Sequence, residues 1–224
     1  MSWKLLFKMV FFSNKGQTGV VTAVIMAGII ISGVTAALTW GLPLLEKEQD
    51  VREVEETVDM MLELADEIET VAERGGSRTF DVDFERGSLV FDEEANSIDF
   101  AVTTNAAFVT TSEWVPLNAR DVRGIDIVGE GDSYGVAGRD RAGVVLGITD
   151  LRGEEYNTRL MIDFRELNDL ETDRGYQIDL SVSGEDVLSS GSHTFYVEYE
   201  GEEVDGSSKR GGPLEKQTVS ITVG

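Results

Sequence analysis

The sequence predicts an α+β protein: one long N-terminal helix, with a transmembrane half and an amphipathic half, followed by an antiparallel β-sandwich-like domain. Three observations predict it. The thirty residues from Gly16 to Leu45 carry no charged side chain. The next stretch, Glu46 to Arg74, repeats apolar residues at steps of three and four. After Gly76 the pattern changes to period two, broken by glycine-rich turns.

Charge divides the chain in the same places. The only charges up to Leu45 are Lys4, Lys8 and Lys15. The whole chain of 224 residues carries −23, which leaves −26 on the 179 residues after Leu45. A body this acidic does not point to nucleic acid, because phosphate binding needs clustered Lys and Arg. There is no cysteine. Disulfides, thiolate zinc sites, iron–sulfur ligation and cysteine nucleophiles are therefore excluded. At 41% hydrophobic residues the chain can still build a core.

The uncharged run reads GQTGVVTAVIMAGIIISGVTAALTWGLPLL. About 20 helical residues cross the hydrocarbon core of a bilayer, so it is long enough to span. All three lysines precede it, which places the N-terminus in the cytoplasm and the acidic body outside. A cleaved secretory signal is the alternative, but its apolar region is usually about 7–15 residues. This run is longer and leads straight into another helical pattern.

Within it, Gly28, Ser32 and Ala36 recur every four residues, and so do Gly33, Ala37 and Gly41. Small residues at that spacing let helix backbones approach closely, so both sets are candidate helix-packing positions. Trp40 lies at the outer end of the run, where an indole suits the headgroup zone. Pro43 removes one helical hydrogen bond, so a kink is expected between Trp40 and Pro43.

From Glu46 to Arg74, Val51, Val54, Val58, Met61, Ala65, Ile68 and Ala72 form a heptad-like stripe. The other positions hold twelve Asp or Glu against Lys47, Arg52 and Arg74. A self-paired coiled coil would bring like charges together, so packing on the domain's own sheet is the expectation. Gly75-Gly76 is the expected C-terminal cap.

Alternating strands are expected at Thr79–Phe84, Ser97–Val102, Arg159–Phe164, Tyr176–Val182, Thr194–Tyr199 and Thr218–Val223. The apolar run Gly143–Ile148 suits a strand buried on both faces. Turns are expected at Arg86-Gly87, Gly129–Asp132, Gly184–Asp186, Gly201–Glu203 and Gly211–Pro213. The last two strands should pair, and the loop Asp205–Pro213, with Lys209 and Arg210, should be exposed and able to contact an acidic neighbour.

No GxSxG, P-loop, GxGxxG or HExxH pattern occurs, and His193 is the only histidine. No catalytic residue, metal site or cofactor is expected. Asp92-Glu93-Glu94, Glu130 with Asp132, and Glu202-Glu203 are carboxylate groups of the kind calcium takes. At this charge such neighbours arise by chance. The acid excess, with only six Lys against 13 Arg, suggests a chain adapted to high salt. No N-x-S/T sequon occurs.

The junction NKGQTGVV, from Asn14 to Val21, resembles the class III signal peptide of archaeal type IV pilin-like proteins and archaellins. In that family a short basic leader ends in Lys-Gly or Arg-Gly, and a prepilin peptidase cuts after the glycine on the cytoplasmic side. The resemblance implies a cleavage site at Lys15, Gly16 and Gln17, with the mature chain starting at Gln17. The fifth mature position is Val21, where many type IV pilins have Glu. Archaellins and a number of archaeal pilins also lack that acid.

The implied divisions are a basic leader at 1–16, a transmembrane and filament-core helix at 17–45, an amphipathic helix at 46–75 and an extracellular β-rich domain at 76–224. The resemblance implies a non-enzymatic subunit, major or minor, of an archaeal cell-surface filament. Its partners would be the prepilin peptidase, copies of itself or other pilins, and the membrane before assembly. The alternative is a single-pass membrane-anchored β-domain that binds a ligand or partner without forming filaments.

Overall fold

The computed structural model describes residues 14–105, 107, 113–118, 134–153 and 155–224, with side chains from Gly19 onward. Most of the leader, the carboxylate pair Glu130 and Asp132, and the turn Gly129–Asp132 lie outside the described residues. The chain divides into two compact units between Glu48 and Gln49.

Helix α1 runs from Asn14 to Arg74 and continues through Pro43. In the first unit its described side chains are exposed almost throughout. In the second unit Val54, Val58, Met61, Leu64, Ala65, Ile68, Val71 and Ala72 are buried. Six of the seven expected stripe residues are among them, and Val51 is half-buried. Leu64 and Val71 widen the stripe into the broader apolar face of a helix lying on a core. The helix ends as the glycine pair predicts. Gly75 takes φ +71° and donates its N–H to the Val71 carbonyl at 2.9 Å, a left-handed cap.

Ten strands follow among the described residues: β1 (Ser77–Asp92), β2 (Ser97–Thr104), β3 (Val115–Pro116), β4 (Gly135–Val136), β5 (Gly143–Arg152), β6 (Glu155–Phe164), β7 (Leu167–Asn168), β8 (Gly175–Ser183), β9 (Val187–Ser207) and β10 (Pro213–Val223). Each expected strand lies inside one of the seven longer ones. The fold is α+β, with one hydrogen-bonded sheet in the order β3-β5-β6-β2-β1-β9-β10-β8-β7-β4.

Most neighbours are antiparallel, and β9 and β10 pair as expected. The sheet is nonetheless mixed, because β8 pairs with β10 in parallel and β4 with β7 likewise. The reason for the first lies in the connections. The short turn Gly184–Asp186 carries β8 into β9, yet β10 occupies the place between them. A strand antiparallel to β9 in that place must run parallel to β8.

Two expected turns are interruptions within strands. At Arg86-Gly87 the chain stays in β1, and the register with β9 shifts between Phe84 and Ser88. Gly87 has φ +103°, and a Cβ there would stand 2.6 Å from the Ala101 carbonyl oxygen. Only glycine lets β1 bulge this close to β2. At Gly201–Glu203 the chain stays in β9, with a second register shift against Thr218 and Val219 of β10. A glycine in an otherwise alternating stretch fits a bulge as well as a turn, and neighbouring strands decide which.

The loop after β9 is also tied down. Ser208 is buried and its Oγ donates to the Asp173 carbonyl at 2.8 Å. The Lys209 N–H donates to Glu166 Oε1 at 2.7 Å, and Arg210 Nε to Asp173 Oδ1 at 2.8 Å. Lys209 and Arg210 are themselves exposed as expected, and the acidic groups bonded here by the Lys209 backbone and the Arg210 side chain belong to their own chain.

One core joins the inner half of α1 to the sheet. Met61, Leu64 and Ile68 are 0% exposed, and their cluster includes Phe100, Ile162, Phe164, Ile178, Phe195 and Val219. Phe195 meets Phe80 and Phe91 edge-on at 5.4 and 5.6 Å. Gly143 to Thr149 of β5 is buried without alternation, as its apolar run predicts. The sheet also rolls on itself. Strands β6 and β8 have four strands between them in the order, yet both accept hydrogen bonds from the Asn96 side chain.

Candidate helix interface

The apolar half of α1 has the composition of a buried helix and the exposure of a bare one. Ile29 is 66% exposed, Val34 53% and Trp40 80%. It is the one helix among the described residues long and apolar enough to cross a membrane. Burial of such surface is worth roughly 25 cal/mol per Å², so water is a poor medium for it.

Gly28, Ser32, Gly33, Ala36 and Ala37 are exposed and Gly41 is half-buried. A Cβ added at Gly28, Gly33 or Gly41 would meet nothing within 4 Å. These positions are open to a neighbour from outside. At about 100° per residue, the ridge starting at Gly28 and the ridge starting at Gly33 lie about 140° apart round the helix. The helix can thus offer close backbone approach on two sides. Its hydroxyls are compatible with an apolar setting: Thr39 Oγ1 donates to the Thr35 carbonyl at 2.7 Å. The backbone of Lys15, Gly16 and Gln17 lies in the first turns of α1, and their side chains fall outside the described residues.

The inner half of α1 is held by arginines as well as by its apolar face. Arg86 donates through Nε to both Glu53 oxygens at 3.0 and 2.8 Å, and through its NH2 group to Glu53 and Asp50. Arg141 bonds Glu69 at 3.0 and 2.7 Å and also Asp66, while Arg78 forks onto Glu67 at 2.9 and 2.7 Å. Glu69 accepts the Gly143 N–H at 2.7 Å, and Asp50 the Asn105 N–H at 2.7 Å. Burial alone would raise the Asp50 carboxyl, but Arg86 and the Asn105 N–H outweigh it and hold the group below its ordinary value. The same bonds, Glu53 first and then Asp50, raise Arg86. Sequence reading gives the acidic helix but not these arginines, two of which come from β1 and the third from the turn before β5.

Elsewhere the body's polar groups serve the fold. Asp92 Oδ1 accepts the Ala95 N–H at 2.8 Å, and Glu93 Oε1 accepts the Val182 N–H. Glu202 and Glu203 are exposed on β9. His193 stacks on Phe84 with ring centroids 5.6 Å apart, and its Nε2 lies 2.8 Å from the Ser189 carbonyl oxygen. No group of three or more His, Asp or Glu among the described residues is arranged to hold a metal ion. Burial raises Asp163 and Asp99, and burial followed by the Glu73 and Glu69 charges raises Tyr176.

No protein-family model, curated protein or solved structure matches the chain.

Proposed function

We propose that this chain is a type IV pilin-like structural subunit of an archaeal cell-surface filament. A prepilin peptidase cuts between Gly16 and Gln17 while the apolar helix sits in the membrane with its N-terminus in the cytoplasm. The cut removes the cationic leader, and the helix then leaves the lipid to bundle with copies of itself or with other pilins. The acidic β-domains face outward. The rolled sheet acts as a sandwich-like body, a reading supported by the shared bonds of β6 and β8 to Asn96. The body's −26 charge suits a salt-rich exterior, where screening weakens self-repulsion.

The observation that carries this reading is the apolar half of α1. It has no charge from Gly16 to Leu45, is exposed throughout its large side chains, and is open at its small ones. A simple anchor needs only the apolar length. Two small-residue ridges about 140° apart fit a helix with neighbours on more than one side, which a filament core requires.

Mass spectrometry of the protein from its native membrane and medium tests the proposal. A mature N-terminus at Gln17, in particles that sediment as polymers, is the expected result. An intact Met1 in membrane-bound monomers identifies the single-pass anchor instead. A chain that begins after Leu45 overturns both.

A further inference from the structure

The β-domain has a place where strand pairing stops and side chains take over. On one side β8 is paired with β10 along its length; on the other it meets β7 only at Gly175 and Tyr176. Beyond Tyr176, the turn between β1 and β2 occupies that second side. Asn96 Nδ2 donates to the Ile178 carbonyl at 2.6 Å, and Asn96 Oδ1 accepts the Leu180 N–H at 2.9 Å. Glu93 Oε1 accepts the Val182 N–H. Three alternate residues of β8 thus bond side chains where a neighbouring strand would otherwise lie.

Asn96 also reaches the other lip of the gap. Its Nδ2 donates to the Phe164 carbonyl at 3.0 Å, and its backbone carbonyl accepts the Phe164 N–H at 3.2 Å. The residue is 8% exposed and takes φ +55°, a conformation that asparagine tolerates better than most side chains. Both amide protons and the side-chain oxygen have partners on β6 or β8. At the outer end, Glu93 borders an open cleft of about 590 Å³ lined also by Val90, Phe91, Asp92, Val182, Gly184 and Asp186.

We infer that the Glu93–Asn96 turn is a side-chain latch closing the rolled sheet, and that the seam it seals between β6 and β8 is where the β-domain opens first. A strand ladder is a row of mutually supporting bonds, whereas on the β8 side this closure depends on two side chains from one turn. Opening it would unpair β8 at Ile178, Leu180 and Val182 without separating β1, β9 and β10. The freed groups would form an unpaired edge of the kind that recruits another strand. The latch belongs to the β-domain and does not depend on how the apolar helix is used.

Residue-resolved amide hydrogen exchange on the full chain in detergent tests the latch. The informative amides are Phe164 and Val182, which the Asn96 side chain does not itself bond. Phe195 and Val197 of β9 report the middle of the sheet. Asn96→Ala should speed exchange at Phe164 and Val182 at least tenfold more than at Phe195 and Val197. Asn96→Asp should do the same with little change in volume, because a carboxylate oxygen would face the Phe164 and Ile178 carbonyls. Equal acceleration at all four amides, or none at the seam, overturns the inference. The unaltered protein supplies an independent check. Seam amides should exchange through an opening with weaker denaturant dependence than the β9 amides, and a common dependence overturns it.

Discussion

The two halves of α1 differ less in apolar content than in who covers it. From Gly19 to Leu45 the large side chains face outward on all sides. From Val54 to Ala72 they form one stripe, covered by the chain's own sheet. The charges divide in parallel, with none from Gly16 to Leu45 and twelve acids from Glu46 to Arg74. A helix that supplies its own cover needs a polar back. A helix apolar all round needs cover from outside, whether lipid or other helices. The same physical force thus fixes the intramolecular fold in one half and creates a demand for a partner in the other.

Substitutions in the two halves should separate these roles. Met61→Ala or Ile68→Ala removes fully buried atoms from the core and should cost about 2–5 kcal/mol, read by denaturant unfolding of the β-domain. Ile30→Ala, in the exposed half, should leave that transition unmoved. A comparable loss from Ile30→Ala would break the comparison, because the exposed half would then be supporting the body.

Gly33→Ile sharpens it from the other side. A Cβ there meets nothing, so the body's unfolding should not change. Polymer yield in the medium should fall at least tenfold, as judged by sedimentation and blotting. Unchanged polymer would remove the small-residue ridges from the assembly account.

The arginine contacts come next in size. Arg86→Ala strands Asp50 and Glu53, and the Asp50 side chain is only 6% exposed. Arg86 itself is 44% exposed, so solvent screens part of the interaction. A loss of about 1–2 kcal/mol is expected in the same unfolding measurement.

The pH dependence is smaller and has two opposing parts. Asp50 has a lowered folded pKa, so its stabilising contribution is complete above the ordinary carboxylate value near 3.8 and is lost as pH falls below it. Asp163 and Asp99 have raised folded values. For them the folded state holds the proton more tightly, so stability rises as pH falls through their folded values toward 3.8. Melting temperature should therefore increase modestly on acidification from neutrality and then drop below about pH 4. Asp163→Asn should flatten the rise and leave the drop. In the same assay, raising KCl from about 0.1 M to about 1 M should stabilise the body, since the Debye length falls from about 10 Å to about 3 Å.

The periodic features were legible because they are local. The steps of three and four from Val54 to Ala72, the alternation in β2 and β6, and the unbroken apolar run of β5 each follow from which faces are covered. Glycine was harder to read. The pair at Gly75-Gly76 ends a helix as expected, whereas Gly87 and Gly201 bend strands that continue. All four allow unusual backbone geometry, and only the neighbouring strand distinguishes a turn from a bulge. Asn96 gave no signal, because an asparagine between two strands reads as an ordinary turn residue.

By itself the sequence determined where the apolar helix lies, where its amphipathic continuation begins, and which segments become the long strands. Each is set by side chains a few residues apart, through helical or extended periodicity and charge. The tertiary structure decided the strand order, the parallel pairing of β8 with β10, the arginine grips on α1, and the closure of the sheet by Asn96. Those depend on groups tens of residues apart meeting at hydrogen-bond distance, and one-dimensional patterning carries no record of which distant groups will meet.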